Sequence, residues 1–331
     1  MRIVTDLDSF KKEKSQKLVV ALGNFDGVHL GHQEILRTIR ERARQIGGSS
    51  AVFTFKEHPQ RILHKKEDPP ILTSLNHKLL LLEQATIDLC FLIDFTIDLS
   101  KKSPEDFVRQ IFIETLGAQE ICLGFNARFG RNRSGDSRLM KQLADQYHFK
   151  FLETGPFKVK EQVVSSSVIR ELIREGKLEK ASELLNRPYS FFGTVIPGSG
   201  RGRRLGFPTA NLDPHSEAMP PEGVYAAWVR ILECQLVPAK SGCQRLEYHV
   251  VRDGLKAVLN YGKRPTFEKA TQSVPEVHIL DYCGELLDKI VEVIVGKRLR
   301  SERSFPSQKE LQHQIQEDIK LGEKWLKNAR I

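Results

Sequence analysis

Through the first half of the chain, short apolar blocks alternate with stretches in which apolar residues recur every three or four positions. Leu18 to Leu22 is one such block, with turn residues behind it, and predicts a buried strand. Ile35, Leu36, Ile39 and Ala43 then fall at helical spacing with Arg and Glu between them, so an amphipathic helix is expected to begin near Val28 to His32. Gly47, Gly48 and Ser49 read as a loop and Ala51 to Phe55 as a second strand. His77 to Ala85 is a Leu-rich helical stretch, Cys90 to Ile93 a third strand, and Ser103-Pro104-Glu105 opens a helix with a cap residue followed by proline. Ile121 to Leu123 and Lys150 to Leu152 supply a fourth and a fifth strand. Strands alternating with helices predict an α/β fold with a parallel, doubly wound, Rossmann-like sheet. Ligands in such sheets lie beyond the carboxyl ends of the strands, where Gly23 to His32 and Gly124 to Asp136 both fall.

A helix start over Val164 to Arg170, a stop at Gly176 and a second helix over Leu178 to Leu185 lead into Asn186-Arg187-Pro188. Beyond that point the helical period is lost. Short runs rich in Val, Tyr, Phe and Trp follow, separated by Gly and Pro: Phe191 to Ile196, Val224 to Ile231, Leu255 to Leu259, Val277 to Leu280 and Ile290 to Val295. They predict a closed or nearly closed antiparallel barrel, with Pro238 to Asp253 as a longer hairpin. A final helix, Gln308 to Ala329, carries Leu311, Ile315, Ile319 and Leu326 along one face for packing on the barrel. Two domains are therefore expected, 1–186 and 187–331.

Composition narrows the partners. The chain of 331 residues has a net charge of +9, and its basic excess divides evenly, +4 in 1–186 (29 Lys and Arg against 25 Asp and Glu) and +5 in 187–331 (22 against 17). With no basic block or tail, anionic small molecules suit this excess at least as well as a polynucleotide, and no nucleic-acid partner is expected. Five cysteines with no CxxC argue against a disulfide framework or a zinc site. No signal-peptide core and no apolar run of membrane-spanning length are present, so a soluble, cytoplasmic protein is expected, with self-association left open.

The chemistry concentrates in four stretches. Gly23 to Gln33, GNFDGVHLGHQ, puts His29 and His32 one turn apart at a helix start, where free N–H groups and the helix dipole favour phosphate and Gly27 and Gly31 clear space for it. By themselves two histidines in one turn are as readily solvent-facing as functional, and the segment is neither a GxxxxGK[ST] loop nor a GxGxxG. The full string resembles the nucleotidyltransferase signature, in the form GxFDGVHxGHQ found in bacterial bifunctional riboflavin kinase/FAD synthetases. The resemblance extends to Val164 to Arg170, VSSSVIR, similar to the family's (S/T)SxxIR motif, and to Gly124 to Asp136, similar to its flavin-nucleotide loop, which as residues alone could be a solvated basic loop. It implies that Gly23, Asn24, Phe25, Asp26, His29, His32, Ser165, Ser166, Ser167 and Arg170 bind ATP, and that Asn126, Arg128 and Phe129 hold FMN. Ala127 stands where the family has an aromatic, and Glu57 replaces a proline in Phe55 to Pro59, FKEHP, whose His58 reads as structural.

In the second half, Gly198 to Leu212, GSGRGRRLGFPTANL, has Gly198, Gly200, Gly202 and Gly206 to expose backbone N–H groups beside Arg201 and Arg203. A glycine-rich loop alone is weak evidence, since mobile surface loops look alike. Thr209 and Asn211 alternate onto one side of an extended segment and offer hard oxygens suited to Mg²⁺. The stretch resembles the riboflavin kinase signature GxxxGxPTANL, which implies ATP binding by the four glycines, Pro208, Thr209 and Asn211. Glu276, in VPEVHILD, matches that family's catalytic glutamate, and LRSERSF, with Arg300, Glu302 and Phe305, its flavin-covering loop; NYGKRPTF, from Asn260 to Phe267, is a further match. Glu276 would take the proton of a hydroxyl, while His29, His32 and Arg170 would stabilise charge on phosphate.

The resemblance thus implies two ATP-dependent steps, phosphorylation of riboflavin to FMN and adenylylation of FMN to FAD, with riboflavin, FMN, FAD and ATP as ligands. Three rival readings stand beside it: a kinase that has lost the second activity, a flavin-binding regulator acting on nucleic acid, and another adenylyltransferase, which would leave PTAN unexplained.

Overall fold

The computed structural model describes residues 1–11, 17–57, 70–198, 200–239, 243–263 and 273–329. His58 and Pro59 of FKEHP, Ser199, the side chain of Arg201, and Arg264 to Phe267 of NYGKRPTF lie outside the described residues. The chain divides into two compact units. The first comprises Met1–Pro69, Leu75–Ser166 and Gln235–Glu247, the second Pro70–Ser74, Ser167–Cys234 and Tyr248–Ile331.

The first unit is built on strands β1 (Arg2–Val4), β2 (Leu18–Leu22), β3 (Ser49–Phe55), β4 (Leu89–Ile93), β5 (Ala118–Gly124) and β6 (Lys150–Thr154), in the order β1-β4-β3-β2-β5-β6. Every neighbouring pair is parallel. All of β2 and β3 is buried, as expected of strands covered on both faces. The helix Leu30–Ile46 buries Ile35, Leu36, Ile39 and Ala43, the stripe read from the sequence, and stops at Gly47, whose φ of 63° is left-handed. The chain runs from β2 through β3 to β4 on one side and then returns to place β5 on the other side of β2. This reversal opens a crevice at the carboxyl ends of β2 and β5, where Gly23 and Gly124 stand.

Several features depart from the sequence expectation. β1 was not anticipated. Ser103 caps its helix as expected, its Oγ accepting from Asp106 N at 3.0 Å, but after Pro104–Asp106 the winding loosens into a π-helix over Phe107–Thr115. A further edge comes from residues far along the chain, with Arg2 pairing antiparallel with Arg245 and Ile3 with Gln244. Cys243, just before that pairing, belongs to the same core cluster as Phe10, Phe53 and Phe91. Two residue pairs, Lys158–Val159 (β7) and Gln162–Val163 (β8), form a small hairpin before the helix Ser166–Arg174.

The second unit carries β9 (Ser190–Ile196), β10 (Ala210–Asp213), β11 (Gly223–Pro238) as far as Cys234, β12 (Gln244–Lys263) from Tyr248 onward, β13 (Ser273–Ile279) and β14 (Ile290–Ser301). They run in the order β11-β14-β9-β10-β13-β12, and β11 also pairs with β12, closing the ring. The resulting antiparallel barrel buries Phe191, Tyr225, Val229 and Leu259. The helix Gln308–Asn328 lies on it through Leu326 and Gly322, with Trp325 tilted against Trp228 at 5.3 Å. Leu311, Ile315 and Ile319 of the expected face are half-buried, while Asp318 is buried.

Candidate active sites

In the first unit the stretch after β2 makes a tight turn. Phe25 (φ 52°), Gly27 (82°) and Val28 (39°) all take left-handed backbone conformations, two of them without the freedom of glycine. A Cβ on Gly23 would stand 3.0 Å from the Phe25 ring, so the glycine lets that ring fold back and become fully buried. From there Phe25 lies 5.2 Å from the His32 ring and supports it.

His29 is the residue that caps the helix Leu30–Ile46. Its Nδ1 accepts from His32 N at 3.3 Å, which places the neutral ring's proton on Nε2. The two imidazoles stack, with centroids 3.7 Å apart and planes within 14°. Gly31 permits this, since its missing Cβ would sit 3.3 Å from the His29 ring. His32 is held well below the usual imidazole range, first by withdrawal from water and then by the positive potential of His29 and Lys78. Its Nδ1 is buried with no hydrogen-bond partner among the described residues. The helix start therefore offers two stacked, parallel rings beside backbone N–H groups, an arrangement suited to a polyphosphate.

Ser166 opens the helix Ser166–Arg174, and its Oγ donates to the Asp26 carbonyl at 3.0 Å, so it joins the GNFD turn to the hydroxyl run; Ser165 beside it is half-buried. Ser167 and Arg170 belong to the second unit by their contacts. There Arg170 donates to the Pro70 carbonyl and to Ser167 Oγ, each at 3.3 Å.

After β5, Asn126 is exposed, and Arg128 pairs with Asp136 Oδ2 at 2.8 Å. Phe129 is 5% exposed and belongs to the core cluster with Phe107; it supports the loop from beneath, because Gly135 leaves room for its ring, a Cβ there standing 2.6 Å away. The aromatic that this loop leaves open is Phe125, 39% exposed, which carries no motif signal of its own.

Lys78 was not singled out by sequence reasoning. It lies on the helix Leu75–Gln84, is 6% exposed, and donates to the Phe55 carbonyl at 2.7 Å and to Thr54 Oγ1 at 3.4 Å. Burial lowers its pKa to about 8, against the opposing pull of Cys90 and Asp26.

In the second unit the glycine loop turns through one helical turn, Arg201–Arg204, closed by Phe207 N donating to the Gly202 carbonyl at 2.9 Å. Gly200 and Gly206 are left-handed, at φ 68° and 85°. A Cβ on Gly202 would stand 2.7 Å from Thr209 Oγ1, and one on Gly198 only 1.7 Å from Asn211 Nδ2. The loop is thus folded directly onto the PTAN segment, with Pro208 and Thr209 exposed and Asn211 buried. The Asn211 Oδ1 has no hydrogen-bond partner among the described residues. Asn211 faces Glu276 across β10 and β13, and Glu276 faces Asn260 across β13 and β12, so three polar side chains stand abreast on one face.

In LRSERSF, Arg300 engages Asp318, with Nε at 2.9 and 3.0 Å from its two oxygens and Nη2 at 2.8 Å. Arg300 and Arg303 lie 5.6 and 5.0 Å from the Phe305 ring centre. Glu302 is half-buried and covers Gly262, where a Cβ would meet its carboxylate. Beside them runs a groove of about 830 Å³ lined by Phe305, Ser307, Gln312 and His313 among others. Among the described residues no cluster of His, Cys, Asp and Glu could hold a metal, and no helix is long and apolar enough to cross a membrane.

Two family models match the chain in succession, one described as FAD synthetase over residues 11–168 and one described as riboflavin kinase over residues 185–326. Among curated proteins, the chain is 33% identical over 307 residues to a bifunctional riboflavin kinase/FMN adenylyltransferase of Haemophilus influenzae, covering 93% of this chain and 94% of that one. It is 34% identical over 325 residues to the protein of the same name from Bacillus subtilis, covering 96% of each. A crystal structure named as a macrolide-efflux protein from Streptococcus pneumoniae superposes with a TM-score of 0.77 at 25% identity, covering 98% of this chain and all of that one.

Proposed function

The chain belongs to the family of bifunctional riboflavin kinases/FMN adenylyltransferases, and from that premise we propose a division of labour in which residues 187–331 convert riboflavin to FMN and residues 1–186 convert FMN to FAD. The observation that carries the reading is that each half has its own phosphate-shaped site: a glycine loop folded onto Thr209 and Asn211 in one, a stacked histidine pair at a helix start in the other.

In the first reaction Glu276 takes the proton from the terminal ribityl hydroxyl as its oxygen bonds to the γ-phosphorus of ATP and the bond to the β-phosphate oxygen breaks, leaving ADP. Its place opposite Asn211 in the ladder suits a base beside a phosphate. Backbone N–H groups around Gly198, Gly200, Gly202 and Gly206, with Pro208 fixing the turn into β10, receive the phosphates. Thr209 and Asn211 would hold Mg²⁺, a role that fits the buried, unpartnered Asn211 Oδ1 and the space left by Gly198. Bound there with ATP, the ion would neutralise phosphate charge. The loop from Arg300 through Glu302 to Phe305 would cover the flavin.

In the second reaction a phosphate oxygen of FMN attacks the α-phosphorus of a second ATP and pyrophosphate leaves, so no base is required. His29 and His32 donate to the phosphate oxygens as charge shifts toward the leaving group, with Gly23 to Asp26 shaping the turn. The hydroxyls of Ser165, Ser166 and Ser167 and the Arg170 guanidinium bind the triphosphate, and Asn126, Arg128 and Phe129 order the loop that receives FMN. A cytoplasmic location is consistent with five free cysteines among the described residues.

The test is chromatographic. Protein with Mg²⁺ and ATP is given riboflavin in one tube and FMN in another, and the flavins are separated over time. The reading expects FMN then FAD from the first and FAD from the second; FMN alone would leave only the kinase. His32→Ala should abolish FAD formation and spare FMN formation, Glu276→Ala should do the reverse, and loss of both activities in either variant would refute the division.

A further inference from the structure

A lysine side chain is rarely buried without a purpose, because withdrawing an ammonium from water is costly and an apolar residue of similar length fills the same space without that cost. Lys78 is 6% exposed on the helix Leu75–Gln84. Its Nζ donates to the Phe55 carbonyl at 2.7 Å, at the last residue of β3, and to Thr54 Oγ1 at 3.4 Å. Thr54 Oγ1 in turn donates to the Asn24 carbonyl at 3.2 Å. A directed chain of hydrogen bonds therefore runs from Lys78 through Thr54 to the turn that carries Asn24, Phe25 and Asp26, with every donor and acceptor used in its natural sense.

We propose that Lys78 is a positioning residue for adenylyl transfer, tying the Asn24–Asp26 turn to the end of β3 and holding a buried ammonium within electrostatic reach of His32. The inference rests on the adenylyltransferase reading given above and adds to it a residue outside the GNFDGVHLGHQ, VSSSVIR and flavin-loop motifs. Two consequences follow from the position. The turn is strained at Phe25 and Val28, and the Lys78–Thr54 link supplies an anchor that holds it in that conformation. The charge also acts on the stacked imidazoles. Among the described residues, the groups whose charge acts on Lys78 and His32 include His29 on the helix cap, Asp26 in the turn and Cys90 on β4, besides the two themselves. Asp26 and Cys90 act to keep Lys78 protonated, and Lys78 and His29 act to keep His32 neutral. A neutral His32 retains an N–H donor and an acceptor, and does not repel its stacked neighbour.

The experiment uses the full chain, with Lys78→Met and Lys78→Arg. FAD formation from FMN and ATP is followed between about pH 5.5 and 9, and riboflavin phosphorylation in the same preparations serves as the control for folding. Lys78→Met should lower kcat for FAD formation about tenfold, leave KM for ATP within about twofold, and move the acid limb of the kcat profile upward, because His32 then accepts a proton at higher pH. Lys78→Arg, which keeps the charge, should leave the acid limb where it is in the wild type. An unchanged kcat and acid limb in Lys78→Met would overturn the inference while leaving the adenylyltransferase reading intact; a wild type that makes no FAD would overturn both. Where Lys78→Met also loses riboflavin phosphorylation, Thr54→Val decides the matter, since it cuts the link and keeps the charge: a lowered kcat with an unmoved limb supports the inference, and a wild-type kcat overturns it.

Discussion

Replacing Asp318 by Asn tests how the barrel half holds the segment from Arg300 to Phe305. The Asp318 side chain is 4% exposed and takes three contacts from Arg300, at 2.8 to 3.0 Å, and a fourth from Gln314 Nε2 at 2.8 Å. Asparagine keeps one acceptor oxygen but sets an amide NH₂ where the other oxygen met Arg300, so donor faces donor and the guanidinium loses its counter-charge. Breaking a buried pair in this way costs roughly 3–5 kcal/mol. Arg300 remains 21% exposed and can recover some hydration, which brings the expected loss to about 2 kcal/mol, near a thirtyfold change in the folding equilibrium. For a domain of this size that corresponds to a fall in Tm of about 4–8 °C. The assay is specific, because the chain has two tryptophans, Trp228 and Trp325, and both stand in the second unit, 5.3 Å apart. Intrinsic tryptophan fluorescence therefore reports the barrel half alone. An Asp318→Asn protein whose tryptophan-detected midpoint matched the wild type would show that Arg300 is solvated in solution and that the pair contributes nothing.

Gly198→Ala places a methyl 1.7 Å from Asn211 Nδ2 and should cut riboflavin phosphorylation at least about tenfold while FAD formation from supplied FMN is kept, measured by flavin chromatography. Burial pushes the Cys90 and Cys122 thiols up to about 12, whereas Cys283 is exposed, so a thiol reagent near neutral pH should label Cys283 rapidly and Cys90 and Cys122 only on unfolding, as read by peptide mass mapping. The depressed pKa of His32 means that the unfolded chain takes up the proton more readily than the native one; this contribution is intact above the ordinary imidazole value of 6.5 and stability is lost as pH falls through it. Wild type should therefore lose more stability than His32→Ala between about pH 7 and 5, measured by denaturant titration with circular dichroism.

The pattern along the chain was enough to locate β2 to β6 of the parallel sheet and the closing of the barrel, because long buried strands and an amphipathic helix such as Leu30–Ile46 write their burial directly into residue spacing. β1 escaped notice because Arg2–Val4 is too short to show any period. The π-helical winding of Phe107–Thr115 also escaped, since its apolar residues fit either winding. His29 and His32 were legible from local spacing, and their stacking follows from Gly31 between them. Lys78 was not, because a lysine on a helix reads as a solvated face, and its burial is set by Thr54 and Phe55, which come from another strand. Phe129 was read as a flavin contact from a linear motif, and only the packing around Gly135 distinguishes it from the exposed Phe125.

The pairing of Arg2 with Arg245 has a consequence for synthesis. A ribosome delivers β1 first, yet the residues that cover that edge, Gln244 and Arg245, emerge only after β9, β10 and β11 have been made. Until then the edge of β1 offers unpaired N–H and C=O groups, and the core cluster lacks Cys243. The half of the enzyme translated first is thus completed after much of the second half has left the ribosome, and a nascent chain stalled before Gln244 exposes a template for intermolecular strand pairing.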